Sequence, residues 1–156
     1  MRAFRLGAAK YAKTASAAFS GEASLYGDGR WHHRGRPIVY AAEHLSLATL
    51  EILVHLGRRD QIQHYVSWEL EIPETMIAPG PAVPASWQDD LEPTRNWGDQ
   101  WLVKQAAPVV RVPSFVIPTE FNFLLNPVHP RFTLKWVVNG PKTVAFDPRL
   151  LRRETW

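Results

Sequence analysis

Between Tyr65 and Pro73 the chain reads YVSWELEIP, an alternation that sets Val66, Trp68, Leu70 and Ile72 against Ser67, Glu69 and Glu71. A period of two is that of a pleated strand with one covered face, and Pro73 closes it because it has no N–H for the ladder. RPIVYAA, Arg36–Ala42, predicts a short buried strand entered at Pro37. From Leu45 to Leu56 the pattern turns helical, with Ser46 as N-cap, Gly57 closing the helix and Arg58 and Arg59 beyond. NWGDQWLVKQ predicts a second, short helix with Trp97 and Trp101 one turn apart. APVVRVPSFVIP predicts an extended segment broken by prolines, hence an edge strand or a bend. FTLKWVV and KTVAF predict two further strands joined by a hairpin turn at Asn139-Gly140. Prolines at 73, 79, 81, 84 and 93 predict mostly loop over 73–96. EFNFLLNPVHP, with Asn122, Asn126 and His129 among apolar residues and prolines, predicts an ordered loop packed on the core. Helices and strands mix without βαβ alternation, so the expected class is α+β, as one domain over residues 1–156.

Composition narrows the function classes. With 46% hydrophobic and 12% aromatic residues in 156, the chain can bury a core and does not resemble a disordered segment. No apolar stretch approaches the roughly 18 residues of a membrane span. Charges scattered through MRAFRLGAAKYAKTASAAF argue against a secretory signal. There is no cysteine, which excludes disulfides, thiol nucleophiles and cysteine-bound zinc and fits a reducing cytoplasm. A net charge of +3 suits an anionic ligand but falls short of a nucleic-acid binder's basic stripe.

Two features stand out as chemistry. Glu51 lies on a helix with almost no polar face, and its neighbours three and four residues away (Leu47, Ala48, Val54, His55) include no Lys or Arg. A carboxylate there either reaches water at the helix edge or is paired from elsewhere, with Arg30 or another of the preceding basic cluster as nearest supplier. That cluster, GDGRWHHRGR, sets Arg30, Arg34 and Arg36 behind a bend at Gly27 and Gly29. Such bends can cradle phosphate, although the motif matches no Walker or dinucleotide fingerprint. Trp31 anchors the bend to the core. His44 and His55 share a helical stripe with Glu51, but about 16 Å of helix separates them, so no metal site is expected. Ser114 lacks the GxSxG surroundings of a hydrolase nucleophile.

Four stretches in order, FRL (Phe4–Leu6), GRW…G.PIVYAAEHLSLATLE (Gly29–Glu51), VPS (Val112–Ser114) and E.N.LLNP.HP (Glu120–Pro130), resemble the RES-domain toxins. Asp28 stands where a second glycine is common, and His32 where asparagine often follows the Trp. The resemblance implies a fold like that of the ADP-ribosyltransferases, a mixed β-sheet core (split β-sandwich) with surrounding helices. It implies the toxin of a bacterial, cytoplasmic toxin–antitoxin pair, in which NAD is the substrate and no further cofactor is needed. Arg30 would hold the pyrophosphate, Tyr40 would stack on the nicotinamide, Glu51 would stabilise the ribosyl cation, and Ser114 would orient Glu51. Arg5, Trp31 and Asn122 join Arg30 and Tyr40 in binding substrate. The implied partner is a Xre-type helix-turn-helix antitoxin in a hetero-oligomer, through which alone DNA would be met. The acceptor of ADP-ribose stays open between water, phosphate and a protein side chain. A basic nucleic-acid-binding module or ribonuclease is the rival from another class.

Overall fold

The computed structural model describes residues 1–56, 59–83 and 86–151. Its elements, in chain order, are β1 (Arg2–Ala8), α1 (Ala15–Ala18), β2 (Val39–Ala42), α2 (Leu45–Leu53), β3 (Tyr65–Glu71) and β4 (Ile77–Pro79). Then come α3 (Glu92–Lys104), β5 (Val109–Pro113), β6 (Phe121–Leu125), β7 (Val137–Thr143) and α4 (Pro148–Leu151). The strands form one sheet in the order β4-β5-β6-β2-β1-β3-β7. Only the β4–β5 pair is parallel, so the sheet is mixed and the class is α+β. β1 and β2 are in register at a single pair, Phe4 with Ala42, and the sheet divides there into two halves.

β3 carries out its alternation: Trp68, Leu70 and Ile72 are buried, Val66 packs partly on the same core, and Glu71 is exposed. β2 is shorter than the apolar run suggested, beginning at Val39. α2 begins at Leu45, where the helical pattern begins, but its cap lies two residues before the expected Ser46: His44 is the capping residue, in extended conformation and without a side-chain bond, and Ser46 is already inside the helix. The helix ends at Leu53 with Val54 as its cap, short of the expected Leu56; Gly57, expected to close it, and Arg58 beyond lie outside the described residues, as do Pro84, Ala85 and residues 152–156.

Four expectations are corrected. EFNFLL is a central strand, not a loop: β6 lies between β5 and β2, and burial of Asn122 to Leu125 on both faces replaces alternation with a continuous run. β5 is interior rather than an edge, because β4 lies outside it, and Pro113 is tolerated as the strand's last residue. The 73–96 region contains β4 and the start of α3, where Pro93 occupies the first turn, a position that needs no amide hydrogen. Asn139-Gly140 makes no hairpin: β7 runs straight through it beside β3, with register shifts around Glu69. Gly140, at φ 124°, lies against the Trp68 ring, where a side chain would collide. Leu134–Trp136 is a 3₁₀ turn capped by the Thr133 hydroxyl. β1 and α1, the latter capped by Thr14, carry too few periodic residues to be read from pattern.

One helix contact positions everything that follows. α3 packs so closely on the segment after β1 that a Cβ at Gly98 would overlap the Trp31 carbonyl. Around it Trp31, Trp87, Trp101, Leu102, Val110 and Leu124 form one of the core clusters. Gly98→Ala should lower the thermal midpoint. Alanine favours a helix by about 1 kcal/mol, but a backbone carbonyl cannot rotate away and overpacking costs about 1–3 kcal/mol. Gly27→Ala, where an added methyl meets nothing within 4 Å, should stay within about 0.5 kcal/mol. Thermal denaturation of the two variants checks both.

Candidate active site

The basic bend is held by its own backbone and by α3. Asp28 Oδ1 accepts the Arg34 N–H at 2.8 Å, which pulls the Asp28 carboxyl below its ordinary pKa, and Gly29 N–H donates to the His32 carbonyl at 2.9 Å. Arg95 Nε donates to the Gly29 carbonyl at 2.8 Å and the Thr94 hydroxyl to the Arg30 carbonyl at 2.7 Å. His33 Nδ1 lies 2.9 Å from Asp99 Oδ2, its N–H donates to Asp99 Oδ1 at 3.2 Å, and its Nε2 is 3.4 Å from Glu92. Of the two glycines only Gly29 is needed for space, since a Cβ there would strike the His32 ring and the Tyr40 hydroxyl.

Clamped this way, the bend sends successive side chains in different directions. Trp31, 1% exposed, turns inward among Trp87, Trp97 and Phe115 at centroid distances of 5.9–6.3 Å. Arg30 lies at the cleft with its Cζ 4.8 Å from the Phe115 ring. Trp31 therefore offers a substrate no exposed ring; it sets the direction of Arg30.

Glu51, on α2, faces the same cleft half-buried. Its Oε1 accepts from the Ser114 hydroxyl at 2.7 Å and from the Asn122 amide at 2.5 Å. Ser114 is fully buried just after β5, and its Oγ accepts the N–H groups of Val116 and Ile117 at 3.0 Å each. With its lone pairs so occupied, the hydroxyl hydrogen is directed to Glu51. Asn122 reaches Glu51 from β6. Among the described residues Oε2 has no partner, and no Lys, Arg or His lies within 4.0 Å of the carboxylate. The sequence pointed to Arg30 or a neighbour as the ion-pair partner; the structure gives Glu51 two neutral donors instead.

Arg5, on β1, lies where the sheet divides. Its Nε donates to the Ala18 carbonyl at 2.7 Å and its Nη1 to the Tyr40 carbonyl at 2.9 Å, and no carboxylate among the described residues pairs with it. Burial pulls its pKa down to about 10, so it remains a cation at neutral pH. Tyr40, on β2, accepts the Trp31 N–H at 3.2 Å and lies 2.8 Å from His32 Nδ1; burial pushes its phenol well above the ordinary value.

Arg5, Arg30, Tyr40, Glu51 and Asn122 line one cleft of about 1150 Å³, and Ser114 stands behind Glu51. Arg95 and Tyr65 also line it. Arg95 escaped the sequence reading because it falls in the stretch taken for loop, where the Pro93 signal for a helix start was the clue. The cleft can hold a dinucleotide-sized anion, with guanidinium groups for phosphates and a carboxylate for developing positive charge. A shallower cavity of about 410 Å³ beside β4 has one charged side chain, Arg111, which is 3.6 Å from Glu43.

Residues 2–147 match the RES domain. The chain belongs to the RES-domain toxin family. It is 37% identical over 132 residues to Toxin Res of Yersinia enterocolitica, covering 82% of this chain and 86% of that protein. It is 34% identical over 151 residues to Prs ADP-ribosylating toxin of a Sphingobium species, covering 86% and 87%. The structure is similar to the MbcT–MbcA toxin–antitoxin complex of M. tuberculosis, with a TM-score of 0.64 and 15% identity over 83% of this chain and 76% of that one. At that identity the likeness is one of fold, the mixed sheet with its helices. In this RES domain the two departures noted in the sequence have structural roles: Asp28 bonds the bend to itself and His32 bonds Tyr40.

The His33–Asp99 clamp carries a pH dependence. The hydrogen bond to Asp99 raises the His33 pKa above its ordinary 6.5. A raised folded-state value means the clamp stabilises fully below the unfolded pKa and loses its contribution as pH rises through the folded one. The gap in thermal midpoint between wild type and His33→Gln should therefore be wide at about pH 6 and narrow at about pH 9. A gap that widens towards alkaline pH would contradict this.

Proposed function

We propose that this RES toxin consumes NAD by breaking the bond between nicotinamide and ribose. The observation that carries the reading is Glu51: a carboxylate held by Ser114 and Asn122, uncompensated by any cation in contact among the described residues, and open to a cleft that also holds Arg5 and Arg30. Nicotinamide leaves NAD as a neutral base with the electron pair of the C–N bond. Positive charge passes to the ribose as an oxocarbenium-like centre, as in glycoside cleavage. Neutral hydrogen-bond donors orient Glu51 without quenching its charge, so it can oppose that developing cation in advance. The guanidinium groups of Arg30 and Arg5 suit the two negative charges of the pyrophosphate. In the hydrolytic case water then adds to the ribose carbon and releases a proton, giving ADP-ribose; inorganic phosphate would add at the same carbon, giving ADP-ribose phosphorylated there.

Transfer to a protein side chain is the second reading, favoured by the 34% identical relative named as an ADP-ribosylating toxin; it shares the first step. A toxin that destroys NAD in the cytoplasm where it is made needs a restraining partner. The neighbouring fold in a toxin–antitoxin complex supports a hetero-oligomer with an antitoxin, here taken as Xre-type. Expressed alone, the chain should arrest bacterial growth and lower cellular NAD, and co-expression of its antitoxin should restore both. Normal growth with normal NAD would remove the toxin reading.

Mass analysis of NAD incubated with the purified protein should find nicotinamide with ADP-ribose, its anomeric phosphate or an ADP-ribosylated protein, which separates the acceptors. Glu51→Gln keeps side-chain size but removes the charge. It should lower kcat by at least about 10²-fold, the scale of one lost preorganised electrostatic group, with little change in KM. A folded Glu51→Gln protein that turns over NAD at the wild-type rate would sink this mechanism; a ribonuclease would instead leave NAD intact in the wild type and keep its activity in Glu51→Gln.

A further inference from the structure

The NAD reading leaves a buried titratable group in the wall of the cleft without a task. His32 is 3% exposed, and its Nδ1 is 2.8 Å from the Tyr40 hydroxyl, which also accepts the Trp31 N–H at 3.2 Å. Gly29 leaves the space for this pair, since a side chain there would strike both rings. We propose that His32 is a positioning residue, which takes the Tyr40 hydroxyl proton in a hydrogen bond so that Tyr40 meets the substrate as a fixed ring face and not as a proton donor. The inference rests on the NAD reading and assigns how Tyr40 serves it.

The proton assignment follows from the surroundings. Burial holds the imidazole below its ordinary pKa, against the carbonyls of Ser24 and Gly27 and the charges of Asp99 and Asp28, so the ring is neutral. A neutral ring has one N–H. Nε2 is buried with no hydrogen-bond partner among the described residues, whereas Nδ1 faces the Tyr40 hydroxyl, which already accepts the Trp31 N–H and has no other acceptor among those residues for its own hydrogen. Nε2 thus bears the hydrogen, Nδ1 is an acceptor, and the Tyr40 O–H donates to it. Tyr40 Oη then has its hydrogen spent on His32 and a lone pair spent on Trp31. The phenol has no proton to give, and nicotinamide, leaving as a neutral base, needs none. What remains for the cleft is an aromatic face whose orientation is set from behind.

Two variants separate the hydrogen bond from packing. His32→Phe keeps a ring but removes the acceptor, whereas His32→Asn loses volume but carries its amide oxygen where the imidazole carries Nδ1. The expected result is that His32→Phe raises KM for NAD about tenfold, the scale of one neutral hydrogen bond, with kcat within about threefold. His32→Asn should recover most of that KM despite a lower thermal midpoint. The reverse order, with His32→Phe like wild type and His32→Asn impaired in step with its stability, would overturn the proposal. Side-chain nitrogen NMR decides the hydrogen bond independently of turnover. His32 should be the neutral Nε2–H form, with an Nδ1 resonance that moves in Tyr40→Phe. A charged ring, an Nδ1–H form or an unmoved Nδ1 resonance would reject the assignment. A wild-type protein that leaves NAD intact but shows the expected nitrogen shifts would fail the functional reading while keeping this hydrogen bond.

Discussion

The approach of the Trp31 carbonyl to Gly98 is the constraint on which the site depends. A helix can come this near another backbone only where a residue lacks a side chain, and at this distance Thr94, Arg95 and Asp99 reach the bend directly. Each hydrogen bond is modest alone, about 0.5–1.5 kcal/mol. Together they hold an arginine-rich segment that has no regular secondary structure of its own and would otherwise lose much to chain entropy. With the backbone fixed, the Trp31 ring buried on one side forces Arg30 to the other. The same fixed peptide supplies the N–H that Tyr40 accepts.

Charge placement is the second organising feature. Among the described residues, Glu51 shares the cleft with Arg5, Arg30 and Arg95 without an ion pair to any of them. Glu51 is satisfied by a hydroxyl and an amide, and Arg5 by two carbonyls. An ion pair would have been the simpler way to bury either group, yet it would have cancelled the field each presents to a ligand. The sheet makes the separation possible. β1 and β2 part after one registered pair, Arg5 enters that gap from one half, and Asn122 and Ser114 approach Glu51 from the other.

What the sequence determined by itself was local: the alternation of β3, the helix carrying Glu51, the one-turn spacing of Trp97 and Trp101, and the ordered motifs that mark the RES family. These are legible because side-chain period and motif spacing are properties of a few consecutive residues. Asn139-Gly140 shows the limit. In isolation it is a turn, but β3 offered a partner along its length, and the glycine served to pass the Trp68 ring. β6 shows the same limit from the other side, since a strand covered on both faces loses the alternation by which strands are recognised.

The resemblance named most of the site's residues, Ser114 beside Glu51 among them; the contacts between them were decided by tertiary structure. That Glu51 would be met by Asn122 as well as Ser114, 71 and 63 residues away, and not by Arg30, depends on α2 packing on β1 and β2 while β6 pairs with β2 and β5 with β6. That Arg95 belongs with Arg30 depends on α3 beginning at a residue pair that reads as loop. Residue types announced a carboxylate and a set of cations. Their partners were chosen by strand order and helix approach, because hydrogen-bond geometry is a relation between distant backbones that no local pattern contains.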